Sequence, residues 1–243
     1  MQPQWMDLTI NNLNVKQNMF PDNLRAILAK QNDSADPNRS ISREIFHYQE
    51  NGFPNTSQFP PFRISANGRT GHIYAVGVDA VEYLQENGHK IMRMISSFNG
   101  QPAPEHRYTG TYSIHHIPYL RPYFIPRMVI NNSRSKYLKI QNDLKNNVMT
   151  PAIAQMIEDK IRQGILDHAT LMGCPIDEDF TLGDIAVERF TCIPAKGGKS
   201  TRFVTVAVGL TFRAGLRLEG VIHVGHMKAK GYGFIRRGSA NRS

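Results

Sequence analysis

The sequence predicts an α+β fold that opens with a βαββαβ unit, the ferredoxin-like arrangement. Short apolar or alternating runs bounded by Gly, Pro, Asn and Ser recur along the chain, and stretches with apolar residues three and four apart separate them. The last thirty residues are rich in glycine, β-branched and aromatic side chains, a mixture that favours strands with bulges and tight turns over a helix.

Residues 4–15 alternate between apolar and polar side chains and predict a first strand. Pro21 then opens a helix over residues 21–30, with Leu24, Ile27 and Leu28 on one face. After a polar loop, Ile45 to Gln49 and Phe62 to Ser65 predict short strands. Gly71 to Val78 is an apolar strand that feeds a helix starting at Asp79, a residue suited to an N-cap. Two readings compete beyond it. Either Gly88 ends the helix and Ile91 to Phe98 is a strand, or Val81, Leu84, Ile91, Ile95 and Phe98 share one long helical face, with Gly88 tolerated at a cost of about 1 kcal/mol. The first is preferred, because it completes the βαββαβ order.

Falling apolar content and two prolines at residues 99–104 suggest a boundary, giving one domain over 1–100 and another over 101–243. In the second, strand segments are expected around residues 112–116 and 127–130, followed by a helical insertion at about 133–172. Its strongest helix follows Thr150-Pro151, a cap residue and a first-turn proline, with Ile153, Ile157, Ile161 and Ile165 at four-residue steps. Strands follow at residues 187–193 and 202–212, and a glycine-rich loop at 220–233. Gly197-Gly-Lys199-Ser200 lacks the first glycine of a phosphate-binding P-loop and predicts a hairpin tip.

The 243 residues carry a net charge of +9 and 40% hydrophobic content, which is enough for a core and favours a polyanion such as nucleic acid over a neutral small molecule. No apolar stretch is long enough to span a bilayer and the start of the chain lacks a signal-peptide pattern, so no membrane partner and a cytoplasmic location are expected. Cys174 and Cys192 are too few for a disulfide framework or a four-cysteine zinc site. His115 and His116 face opposite ways on a strand, and Asp177 with Asp179 has no further carboxylate cluster nearby in sequence, so no metal or cofactor site is expected.

The end of the chain reads His223-Val224-Gly225, five residues, then Gly231-Tyr232-Gly233. This resembles the glycine-rich loop of the RAMP superfamily of CRISPR-associated RNA-binding proteins, above all its repeat-processing endoribonucleases, with His223 where the first of four glycines would stand. The same loop fits a terminal hairpin carrying solubilising lysines. Arg43-Glu-Ile-Phe-His47-Tyr48, Phe59-Pro-Pro-Phe-Arg63 and Gly77-Val-Asp-Ala80 are also similar to that family. The resemblance extends to a type IV-like lineage, in which arginines can stand in for a single histidine. It implies two ferredoxin-like (RAMP/RRM-like) units, the second degenerate, and a nuclease that needs no metal. Such an enzyme binds the CRISPR repeat stem-loop, cuts it to crRNA and stays with other effector subunits.

On this basis His47 is the expected general base, since imidazole titrates near neutral pH and can take a ribose 2′-hydroxyl proton. Arg39, Arg43 and Lys228 are the expected cations around the phosphorane. RNA contacts are expected from Arg121, Tyr123, Arg127, Arg134, Lys136 and Lys139, where arginine and lysine alternate with aromatic rings. The loop adds Gly225, His226, Lys228, Lys230, Gly231 and Gly233, with Arg236 and Arg237 beyond it. A non-catalytic RNA-binding RAMP subunit, or a basic ferredoxin-like protein outside CRISPR, would share these features.

Overall fold

The computed structural model describes residues 4–14, 21–46, 59–131, 140, 142–144, 146, 149–196 and 202–238. The chain forms two compact units: Met1–Tyr112 with Lys228–Gly231, and Ser113–Met227 with Tyr232–Ser243. Each holds a four-stranded antiparallel sheet, and the pair makes a tandem ferredoxin-like α+β fold.

The first unit runs β1 (Trp5–Ile10), α1 (Pro21–Gln31), β2 (Phe62–Asn67), β3 (Thr70–Val76), α2 (Val78–Asn99) and β4 (Glu105–Gly110). Its sheet order is β2-β3-β1-β4. Period-two alternation sends Met6, Leu8 and Ile10 of β1 to the helix side, where they meet Leu24 and Leu28 of α1 and Val81, Leu84, Ile91 and Ile95 of α2. Asp7 and Thr9 take the other face.

The structure corrects two expectations here. Residues 78–99 form one continuous helix, so Ile91 to Phe98 is not a strand. Gly88 stays inside because the buried stripe of Val81, Leu84, Gly88, Ile91 and Ile95 outweighs its cost of about 1 kcal/mol. The βαββαβ order is completed instead by β4, whose residues Glu105 to Thr109 are all exposed and so show no apolar alternation. Arg43–Phe46 is a 3-10 turn that buries Ile45 and Phe46, not the start of a strand; the rest of that segment lies outside the described residues.

The second unit runs β5 (Ser113–Val129), α3 (Pro151–Leu171), β6 (Leu182–Lys196), β7 (Arg202–Glu219) and β8 (Arg236–Arg237). Its order, β6-β7-β5-β8, repeats that of the first unit position for position. The two strand segments expected around residues 112–116 and 127–130 merge into β5, with register shifts between His116 and Arg121 and between Ile125 and Met128. Pro118, Pro122 and Pro126 punctuate this strand, and proline has no N–H for a ladder. The Thr150 side chain accepts a hydrogen bond from the Ile153 N–H at the start of α3, and Ile153, Ile157, Ile161 and Ile165 are buried. Each such isoleucine contributes about 2 kcal/mol of transfer free energy. Residues 197–200 lie outside the described residues, but Lys196 pairs with Arg202 on either side of them.

Where the first unit has α2 before its last strand, the second has the glycine-rich run from residue 220. It contributes two isolated bridges, Val129 to His226 and His223 to Phe234, and a short 3-10 turn at Lys228–Lys230.

Candidate functional site

Positions 225, 231 and 233 take φ of 77°, 70° and 80°, in the left-handed region that favours glycine. All three also lack room for a side chain, a Cβ on Gly225 falling 2.8 Å from the Val129 carbonyl oxygen. A Cβ on Gly233 would lie 1.8 Å from the Val224 carbonyl oxygen, and one on Gly231 would lie 2.5 Å from the Ser65 Cβ. His223, which replaces the family's first glycine, needs no positive φ: its buried ring stacks on Phe234 at 5.1 Å.

Three main-chain donors of this loop are engaged within the protein. Gly233 N donates to the Arg127 carbonyl at 2.6 Å, Gly231 N to the Lys228 carbonyl at 2.8 Å, and His226 N to the Val129 carbonyl at 3.0 Å. Ala229, Tyr232 and Gly233 are buried, and Gly225, His226 and Lys230 are half-buried. These residues thus form a packed ribbon. The Lys228 ammonium lies 4.3 Å from the centre of the Phe59 ring on a residue that is 8% exposed. Arg25 of α1, which the sequence reading missed, donates to the Ala229 carbonyl at 2.7 Å and fixes the turn.

The first unit holds Arg39, Arg43 and, from the far end of the chain, Lys228. Arg43 is exposed on the 3-10 turn whose last residue immediately precedes His47, and His47 itself lies outside the described residues. Arg39 sits 3.7 Å from Asp36 and donates to Ser97 Oγ at 3.4 Å. It lines a cleft of about 630 Å³ together with His89, Arg93 and Arg107. Arg93 donates there to Asn38, and Arg107 to Glu105 at 3.0 Å. Arg63, by contrast, is fully buried, and burial pushes its guanidinium down to about 10 against an opposing effect of Tyr112.

In the second unit Arg127, Arg236 and Arg237 are exposed and Arg121 is half-buried. The Arg236 guanidinium lies 5.5 Å from the centre of the Phe234 ring. Tyr123 departs from expectation: it is 2% exposed, stacks on Phe212 at 5.5 Å, and cannot offer its face to a base. Its hydroxyl donates to the Leu216 carbonyl at 2.9 Å and accepts from Leu218 N at 3.0 Å. Burial raises its pKa, while the Leu218 N–H and the Arg121 and Arg237 guanidiniums pull the other way. Among the described residues of this stretch, the tyrosine that faces solvent is Tyr119, 60% exposed. Arg134, Lys136 and Lys139 lie outside the described residues.

Cys174 and Cys192 are half-buried thiols without a disulfide. Among the described residues no three His, Cys, Asp or Glu side chains converge as metal ligands, and no helix is long and apolar enough to cross a membrane.

Two ferredoxin-like units in tandem match the fold of solved Cas6 structures. A solved structure described as Csf5, a CRISPR-Cas type IV Cas6 crRNA endonuclease, superposes with a TM-score of 0.69 at 16% identity, covering 97% of this chain and all of that one. A Cas6b structure gives 0.61 at 15% identity over 98% of this chain and 100% of the other. A CRISPR RNA processing endoribonuclease Cas6b gives 0.57 at 14%, covering 96% and 99%. Among curated protein sequences, none matches. The chain belongs to the family of type IV CRISPR-associated endonuclease Csf5, whose profile matches residues 3–239.

Proposed function

We propose that this protein is a metal-independent endoribonuclease that binds the repeat stem-loop of a CRISPR precursor transcript and cuts it once. The observation that carries this reading is the match to the type IV CRISPR-associated endonuclease family over residues 3–239, and Arg39, Arg43 and Lys228 fall within one compact unit. The 3-10 turn leading into His47 belongs to the same unit. In the reaction His47 takes the proton of a ribose 2′-hydroxyl, and that oxygen attacks the adjacent phosphorus. The three cations stabilise the charge that builds on the phosphorane oxygens. The bond to the 5′ oxygen breaks, that oxygen takes up a proton, and the products end in a 2′,3′-cyclic phosphate and a 5′-hydroxyl. The second unit's exposed Arg127, Arg236 and Arg237 hold the RNA through its phosphates, and the product remains bound within a cytoplasmic effector complex.

Incubating the protein with end-labelled repeat RNA in excess chelator tests this. One cut with a cyclic phosphate end is expected, and His47→Ala should lose most turnover while keeping affinity. No cleavage, or cleavage only with a divalent ion, overturns the reading. Unchanged turnover in His47→Ala shifts the catalytic assignment to Arg39, Arg43 or the C-terminal Arg236 and Arg237, which act as cations on the phosphate.

A further inference from the structure

The edge strand β4 presents two chemistries on its two faces. Glu105 and Arg107 pair in register with Ile10 and Leu8, so they point to the helix side. There Arg107 lies against Gly88 of α2, where a Cβ would stand 3.4 Å from its Nη2, and faces the cleft shared with Arg39, Arg93 and His89. His106 and Tyr108 pair with Thr9 and Asp7 and so point to the opposite, helix-free face.

That face is ordered in two rows across three strands. One row is His72, Thr9 and His106; the next is Tyr74, Asp7 and Tyr108. The rings of His72 and Tyr74 stack at 5.6 Å with planes 3° apart, and those of His106 and Tyr108 lie 6.3 Å apart. His72 is fixed in place, its Nδ1 lying 3.2 Å from both oxygens of Asp7 and 3.2 Å from Thr9 Oγ1. Exposure rises toward the edge: Tyr74 is 2% exposed and Tyr108 is 55% exposed. At the edge, the exposed rings of His106 and Tyr108 give a stacking surface, the means by which four-stranded sheets take up unpaired bases.

We propose that β4 is a ridge over which an unpaired stretch of RNA passes, with bases on His106 and Tyr108 and phosphates on Arg107 and Arg93. The inference rests on the reading that the protein binds repeat RNA, and adds that single-stranded nucleotides are taken by the first unit. Same-face residues on a strand stand roughly 6.6 Å apart, so each ring can serve a separate base. The cleft carries three guanidiniums against the two carboxylates of Asp36 and Glu105, an excess of positive charge suited to a phosphate. A phosphate entering it would take over the guanidinium bonds that Glu105 now receives.

The probes are a labelled twelve-nucleotide oligouridylate and the repeat stem-loop, with binding measured across a salt series. Tyr108→Ala is expected to weaken oligouridylate binding about tenfold or more, whereas Tyr108→Phe, which keeps the ring, stays near the unaltered protein. Arg107→Gln should weaken it too and reduce the slope against salt by about one counterion. Because both side chains are exposed, unchanged melting temperatures will show that folding is intact. Oligouridylate bound equally well by Tyr108→Ala and Arg107→Gln, with stem-loop binding intact, overturns the ridge but leaves the proposed function standing. Should the unaltered protein bind neither probe, both fall.

Discussion

The two units build the same sheet order and differ in how the chain reaches the last strand. In the first, the 22-residue helix α2 spans the gap; in the second, a glycine-rich run does so with only a single 3-10 turn among its described residues. A helix satisfies its own backbone and needs only an apolar stripe to dock. The glycine-rich run satisfies its backbone against β5 and its own neighbours, through Gly233 to Arg127, His226 to Val129 and Val224 to Gly233. Such a segment tolerates less change per residue, but its path is free to leave and re-enter a sheet. A helix cannot do that.

The sharpest way to break this contrast is Gly233→Ala. With φ of 80° and a Cβ that would fall 1.8 Å from the Val224 oxygen, a loss of about 4 kcal/mol is expected in urea unfolding. A loss below about 1 kcal/mol would mean that the segment is not held as described. Next comes Tyr123→Phe, which strips the hydroxyl shared by Leu216 and Leu218 and should cost about 1–3 kcal/mol. Since burial raises the phenol's pKa, the folded state favours its protonated form. That contribution is complete below the unfolded value of about pH 10 and fades as pH climbs through the folded value. Tyr123→Phe should therefore lack this part of the alkaline decline in stability. Smallest is Gly88→Ala in α2, where the three nearest atoms to an added Cβ all belong to the Arg107 guanidinium, at 3.4 Å and beyond. A gain of up to about 1 kcal/mol in melting analysis is expected. A loss instead would show that α2 tolerates change no better than the glycine-rich run.

Legibility in sequence followed solvent exposure. α3 announced itself through Thr150, Pro151 and four isoleucines, because cap and stripe are local. β4 did not, because Glu-His-Arg-Tyr-Thr faces water on both sides and carries no apolar period. The βαββαβ order was anticipated, but with the wrong last strand. Three prolines hid the continuity of β5. The spacing of the loop glycines was legible, whereas the burial of Tyr123 depends on the partner strand β7, and the placing of Lys228 in the unit of Arg39 joins residues far apart in the chain. Arg93 and Arg25 carry no local mark, as arginine on an amphipathic helix is ordinarily a solvated side chain. Arg107 did carry one. His106-Arg107-Tyr108 shows the same interleaving of cation and ring that singled out residues 119–139.

The strip Lys228–Gly231 lies along β2, with Gly231 against Ser65 and Ala229 held by Arg25, and it shields what would otherwise be a bare sheet margin. During synthesis this strip leaves the ribosome only after β5, α3, β6 and β7 have been made, so the amino-terminal unit stays unfinished while the rest of the protein is being translated. A gene cut between residues 112 and 113 would not yield that unit whole, and the order of translation itself delays the arrival of Lys228 in the unit of Arg39 and Arg43 until most of the second sheet has been made.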